Sequence, residues 1–261
     1  MGSSSIFRSG LLAGSHVFIT GGGTGIGFGC ARELGLLGAK ITIAARRQQV
    51  LEEACGELAG QGIDAAFRVL NIRDDSACQN VLRTTISERG LPDHLVNNAG
   101  GQFSARADDI SANGFRAVMD LNVQGTWQMS SAFARAHRAS GTPGRIVNIV
   151  FAHTGAMERF AHGAAARAAV VNLTRTLALE WSDHRILVNA VGPGAVMTEG
   201  MRQYDATDSG ETASQAFPVP RLGTPDDIAW MVAYLLSSAG DWITGSLFTI
   251  DGGGSLGRHQ R

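Results

Sequence analysis

Short runs rich in β-branched and apolar residues alternate along the chain with longer stretches in which apolar residues recur at helical spacing. The runs His16–Thr20, Ile41–Ala45, Ala65–Leu70, His94–Asn97, Arg145–Val150, Ile186–Ala190 and Ser246–Ile250 predict strands. The intervening patterns predict helices over Gly27–Leu37, Gln48–Ala59, Asp75–Arg89, Ala112–Ala139, Ala164–Ser182 and Pro225–Ser237. Regular alternation of this kind builds βαβ units, so the expected fold is a single-domain, doubly wound α/β structure around a seven-stranded parallel sheet. No linker or composition break divides the chain. Only Gly194–Pro220 lacks clear periodicity, and its length predicts a substrate lid with Met197, Met201, Tyr204 and Phe217 as apolar contacts.

Composition narrows the partners. With 44% hydrophobic residues, a net charge of -1 and no long single-sign run, nothing marks a nucleic-acid or membrane surface, and a small-molecule substrate is the default. No apolar stretch reaches the roughly 18 residues of a membrane helix, and Met1–Ser5 is polar, unlike a secretory leader. Cys30, Cys55 and Cys78 all fall in predicted helices, which argues for reduced thiols, no metal site and a cytoplasmic setting.

The strongest local signal is Thr20-Gly21-Gly22-Gly23-Thr24-Gly25-Ile26-Gly27, between the first strand and the first helix. Glycines at 21, 25 and 27 allow a sharp turn, open backbone N–H groups toward a pyrophosphate and let helix and sheet approach closely. The turn predicts a Rossmann-type dinucleotide site. The second strand runs into Arg46-Arg47, with no carboxylate to hold a ribose 2′-hydroxyl but two guanidiniums for a 2′-phosphate, which predicts NADP(H).

Gly-x-x-x-Gly-x-Gly preceded by Thr resembles the short-chain dehydrogenase/reductase family. Further strings are similar to it in the right order: Asn97-Asn98-Ala99-Gly100, Asn122 within Leu121-Asn-Val-Gln-Gly125, Pro193-Gly194, and Asp251-Gly252-Gly253. The marks Asn71-Ile72-Arg73, Gly101-Gln102-Phe103 and His162 before Ala164–Ala168 are most similar to its peroxisomal-type trans-2-enoyl-CoA reductases and, less closely, its 2,4-dienoyl-CoA reductases. The resemblance implies a cofactor held by Gly21, Gly23, Thr24, Gly25, Ile26 and Gly27, by Arg46 and Arg47, and by Asn71 and Ile72. It also places Asn98, Ala99, Gly100, Arg167, Pro193, Gly194, Val196 and Thr198 against it. It further implies a homo-oligomer, as a tetramer, paired through Phe115–Ala139 and Ala164–Trp181, where Val118, Met119, Trp127, Met129 and Phe133 look like surplus apolar positions. Trp242 and Phe248 would make a second contact.

The catalytic group of that family is absent. Its serine aligns with Val150 or Phe151, its tyrosine with Gly163 and its lysine with Arg167; neither Tyr204 nor Tyr234 precedes a lysine by four residues. Arginine can hold ribose hydroxyls but does not pass protons at neutral pH. The candidate catalytic residues are therefore Asn122, which orders water in the family, Arg167, and His162 as a loop proton donor, with His153 a weaker one. Ketone reduction needs an acid as the alkoxide forms, whereas reduction of an α,β-unsaturated thioester disperses charge as an enolate. The expected activity is NADPH-dependent reduction of the C=C bond of a 2-enoyl thioester. A non-redox enzyme and a catalytically silent cofactor binder on the same fold are the alternatives.

Overall fold

The computed structural model describes residues 6–151, 157–198 and 217–256; His153, Met201 and Tyr204 lie outside the described residues. Seven strands form one sheet: β1 His16–Thr20, β2 Lys40–Ala45, β3 Ala65–Val69, β4 His94–Asn97, β5 Gly144–Ile149, β6 Ile186–Pro193 and β7 Leu247–Ile250. They are ordered β3-β2-β1-β4-β5-β6-β7, and every pairing is parallel. The order reverses between β1 and β4, where a doubly wound sheet opens its ligand crevice at the strand C-termini.

Helices α1 (Gly25–Leu36), α2 (Gln48–Gly60) and α7 (Pro225–Leu236) cover one face, burying Leu34, Leu51, Leu58, Ile228 and Leu236 against Val17, Ile41 and Val191. Helices α3 (Asp75–Arg89), α5 (Gly125–Ser140) and α6 (Ala161–Glu180) cover the other, around Phe18, Leu82, Leu95, Phe133, Ile146 and Leu177. Near-continuous apolar strands such as Val17-Phe18-Ile19 follow from this two-sided coverage. Helix α7 starts at a capping box between Thr224 and Asp227, with Pro225 in its first turn.

Three sequence expectations need correction. The helix expected over 112–139 is interrupted: α4 (Ala112–Met119) runs into a π turn at Asp120–Gln124 before α5 begins. Asn122 is the cause, because its Nδ2 donates to the Val118 carbonyl at 2.8 Å, the acceptor that its own backbone N–H would use in an α-helix. Helix α6 begins at Ala161 rather than 164, so His162 and Gly163 sit in its first turn and not in a loop. Finally, Val118, Met129 and Phe133 point into the protomer's own core, leaving Trp127, at 46% exposure, as the outward member of that set; Phe248 is partly buried against the core.

The ends of the expected lid are anchored. Val196 is buried and bridges Gly223, with Met197 N–H donating to the Gly223 carbonyl and Gly223 N–H to that of Ala195.

Candidate functional site

The glycine turn closes β1 onto α1 by contact distances that leave no room for side chains. A Cβ on Gly27 would lie 2.2 Å from the Gly21 carbonyl oxygen and 2.4 Å from Asn98 Nδ2. Gly21 itself has φ of +65°, a left-handed conformation that glycine adopts without strain. Asn98 reinforces the turn, donating from Nδ2 to the carbonyls of Thr20 (3.2 Å) and Gly21 (3.0 Å). Thr20 Oγ1 returns the tie by accepting from the backbone N–H groups of Asn98 and Ala99. Asn98 Nδ2 is thus committed to holding β4 against the turn.

Helix α1 opens without a capping side chain on Thr24 and without an acidic residue in its first turn. Its leading N–H groups, at Thr24, Gly25, Ile26 and Gly27, form an anion-binding end. A cleft of about 170 Å³ beside it is lined by Gly21, Gly23, Thr24, Ala44–Arg47, Val50, Leu70–Ile72, Ala99, Gly100 and Leu121. Arg46 and Arg47 are exposed at its mouth, and neither guanidinium is engaged by another described residue. Thr198 approaches from the far side, 3.3 Å from where a Gly25 Cβ would stand, while Gly194 packs against Asp251 at the end of β7.

Deeper in the crevice, Asn122 and Arg167 meet at Gly100. A Cβ there would come within 2.4 Å of Arg167 Nη2 and 2.6 Å of Asn122 Oδ1. Asn122 is fully buried and makes a two-way bond with Gly101: Oδ1 accepts from Gly101 N–H at 3.1 Å, and Nδ2 donates to Gly101 O at 2.7 Å. Its side chain is therefore occupied in fixing the Gly100–Phe103 segment. Arg167 is buried, donates from Nη1 to the Ile149 carbonyl at 2.9 Å, and has Cζ 5.5 Å from the centre of the Phe151 ring. Nε has no hydrogen-bond partner among the described residues. Burial alone pulls its pKa down to about 10, which still leaves it a cation at neutral pH.

At the tyrosine position stands Gly163. The Cβ and Cγ of Gln102 lie 3.2 and 3.3 Å from where its side chain would start, with the Phe151 ring at 3.7 Å. Sequence reading noted Gln102 and Phe151 but gave neither a site role; the signal was a glycine where the family has its largest catalytic side chain, since some other group must fill that space. His162 is fully buried beneath them, its ring edge-on to Phe103 at 4.3 Å between centroids. Its Nδ1 accepts from Gly163 N–H at 2.8 Å, and burial lowers its pKa from the ordinary value. The shift favours the neutral ring, which weighs against the proton-donor role expected of His162.

A Gly100→Ala change is expected to push the new methyl into Arg167 and Asn122 and to weaken dinucleotide binding by tenfold or more, measured by nucleotide fluorescence titration. Unchanged affinity in the folded variant would contradict the placement of Arg167.

Comparison with known proteins follows the same lines. The family described as Enoyl-(Acyl carrier protein) reductase matches residues 21–255. A peroxisomal 2,4-dienoyl-CoA reductase of Arabidopsis thaliana is 37% identical over 258 residues, covering 95% of this chain and 86% of the relative. Among solved structures, a citronellol catabolism dehydrogenase of Pseudomonas aeruginosa superposes with a TM-score of 0.86 at 34% identity, covering 96% and 99% of the two chains. A gluconate 5-dehydrogenase of Burkholderia cenocepacia, in complex with NADP and tartrate, superposes with a TM-score of 0.89 at 29% identity, covering 94% and 97%.

Proposed function

Since the chain belongs to the short-chain dehydrogenase/reductase family and is an oxidoreductase, we propose that it uses NADP(H) to reduce the C=C bond of an α,β-unsaturated acyl thioester. The observation that carries this reading is Gly163 at the tyrosine position, with the buried Arg167 cation retained beneath Gly100. A site that keeps its cation and loses its hydroxyl acid suits a reaction that builds dispersed negative charge better than one that needs a proton at the same instant. The relative from Arabidopsis thaliana is named for reduction of a related conjugated thioester, which supports the same substrate class.

The residues fit the cofactor. The open end of α1 would hold the pyrophosphate, Arg46 and Arg47 the 2′-phosphate, Asn71 and Ile72 would border the adenine, and Arg167 would meet the nicotinamide ribose under Gly100. Bound there, the nicotinamide would supply the hydride for reduction of the C=C bond. Arg167 would offset charge that develops on the thioester oxygen of a substrate, while the Gln102 side chain fills the space of the tyrosine. Asn122 holds Gln102 in place through Gly101. Water delivers the proton to the α-carbon, since burial disfavours the charged form of His162.

Steady-state oxidation of NADPH with crotonyl-CoA, longer 2-enoyl-CoAs and 2,4-dienoyl-CoAs tests the reading; no turnover of any of them rejects it. The nucleotide preference has its own test. Arg46→Ala or Arg47→Ala is expected to raise the Kd for NADPH about tenfold, the worth of one charge-assisted contact, and to leave that for NADH unchanged. Tighter NADH binding by the unaltered chain would overturn the preference.

The assembly we place here is a homotetramer, supported by outward apolar side chains at Trp127, Leu179 (78% exposed) and Trp242 (99% exposed). Among the described residues no helix is long and apolar enough to cross a membrane, and all three cysteines are free thiols, which supports a reducing compartment such as the cytoplasm.

A further inference from the structure

Below the crevice, four side chains on four different elements form one continuous hydrogen-bonded chain inside the apolar core. Asn97 at the end of β4 donates from Nδ2 both to Ser130 Oγ on α5, at 2.8 Å, and to Asn148 Oδ1 on β5, at 2.9 Å. Asn148 Nδ2 donates in turn to Thr174 Oγ1 on α6 at 2.9 Å, and Thr174 Oγ1 donates to the Val170 carbonyl. All four residues are buried, and Asn97 and Asn148 are register partners across β4 and β5.

Each link of this chain is next to a part of the site. Asn97 precedes Asn98, which ties the glycine turn. Asn148 precedes Ile149, whose carbonyl accepts from Arg167. Thr174 lies seven residues beyond Arg167, two turns along the same face of α6, and Ser130 lies two turns beyond Asn122 on the helix that follows the π turn. Apolar packing holds these elements together but tolerates small slides, because it has no direction. A chain of directed hydrogen bonds, in which Asn97 Oδ1 alone of the linking amide atoms has no partner among the described residues, fixes one register, since a shift that breaks a link leaves a further buried amide or hydroxyl unpaired at a cost of roughly 1–3 kcal/mol. We propose that Asn148 and Thr174 are positioning residues for Arg167: the bridge from β5 to α6 sets the depth at which the guanidinium reaches under Gly100. This rests on the cofactor placement above and not on the identity of the substrate.

Thr174→Val removes the hydroxyl at nearly constant volume, and Thr174→Ser keeps it. Binding of NADPH and of NADH is measured by fluorescence titration on folded protein, alone and combined with Arg167→Met. The tighter-binding nucleotide of the unaltered chain is the reporter, so the result does not depend on any acyl substrate being turned over. Thr174→Val is expected to weaken binding three- to tenfold, Thr174→Ser to restore it to within twofold, and the Thr174→Val effect to vanish in the Arg167→Met background, because the two changes then act on one contact. A merely structural role would lower the melting temperature and leave the affinity of the folded protein unaltered. Affinity within twofold for Thr174→Val, or an equal loss with and without Arg167, overturns the proposal. If Thr174→Val does not fold, Asn148→Asp, which keeps the acceptor for Asn97 and loses the donor to Thr174, carries the same cycle with the same outcomes.

Discussion

With NADPH, a 2-enoyl-CoA is expected to be turned over at least a hundredfold faster, in kcat/KM, than the 3-ketoacyl-CoA of the same chain length. A positioned general acid contributes roughly 10²–10⁴-fold in rate, and a ketone needs one as its alkoxide forms. The described residues offer none at the tyrosine position, where Gly163 faces Gln102 and Phe151, and Arg167 remains protonated with a pKa of about 10. An enolate asks only for donors along its conjugated oxygen, the role proposed above for Arg167. Gly163→Tyr alone is expected to leave ketone turnover where it was, because the new side chain's Cβ would lie 3.2 Å from Gln102 Cβ, so its ring cannot take the usual tyrosine path. Faster ketone than enoyl turnover, or ketone reduction gained by the single Gly163→Tyr change, would refute the assignment. Arg167→Met is expected to lower enoyl turnover by a factor of roughly 10²–10³, the usual loss on removal of one oxyanion donor.

Between pH 7 and pH 5 the fold is expected to lose about 4 kcal/mol of stability, about 2 kcal/mol from each of two buried histidines. His16 and His94 lie at the N-terminal edge of β1 and β4, at the end of the sheet away from the crevice. Burial, with Arg89 and Lys40 facing His16 and Arg145 and His137 facing His94, lowers both pKa values to about 4; Asp93 opposes the shift in each case. Neutral rings are therefore required in the folded chain, while the unfolded chain takes up protons below about 6.5. The stabilisation is complete above pH 6.5 and disappears as the pH falls toward 4. His162, lowered in the same direction, adds to the trend. Urea denaturation at the two pH values measures the loss; His16→Gln, which keeps a polar partner for Thr42, is expected to remove about half of it. A stability change below about 1 kcal/mol across this range would show that these rings are not held neutral. Because a domain has roughly 5–15 kcal/mol in total, the expected loss is a large share.

What the sequence determined by itself was everything carried by local periodicity and backbone demand. Alternating strand and helix patterns specify the seven parallel strands, since short near-continuous apolar runs suit strands covered on both faces and period-3.6 apolar spacing suits the helices that cover them. The glycine turn was legible because only glycine fits positions such as Gly21 and Gly27, and the loss of the tyrosine was legible by alignment to one motif. Tertiary structure decided the rest, for reasons that lie in contacts distant along the chain. Asn122 was read as a water-ordering residue; the fold gives its amide a two-way bond with Gly101, 21 residues earlier, beside its bond to the Val118 carbonyl at the π turn. His162 was read as a titrating loop residue; the start of α6 and the Phe103 ring bury it and favour its neutral form. Met129 and Phe133 suggested a surface between subunits, yet the direction of α5 turns them into the core. Gln102 acquires a place in the site only because Gly163 leaves room for it 61 residues away, a vacancy that no pattern of hydrophobic spacing records.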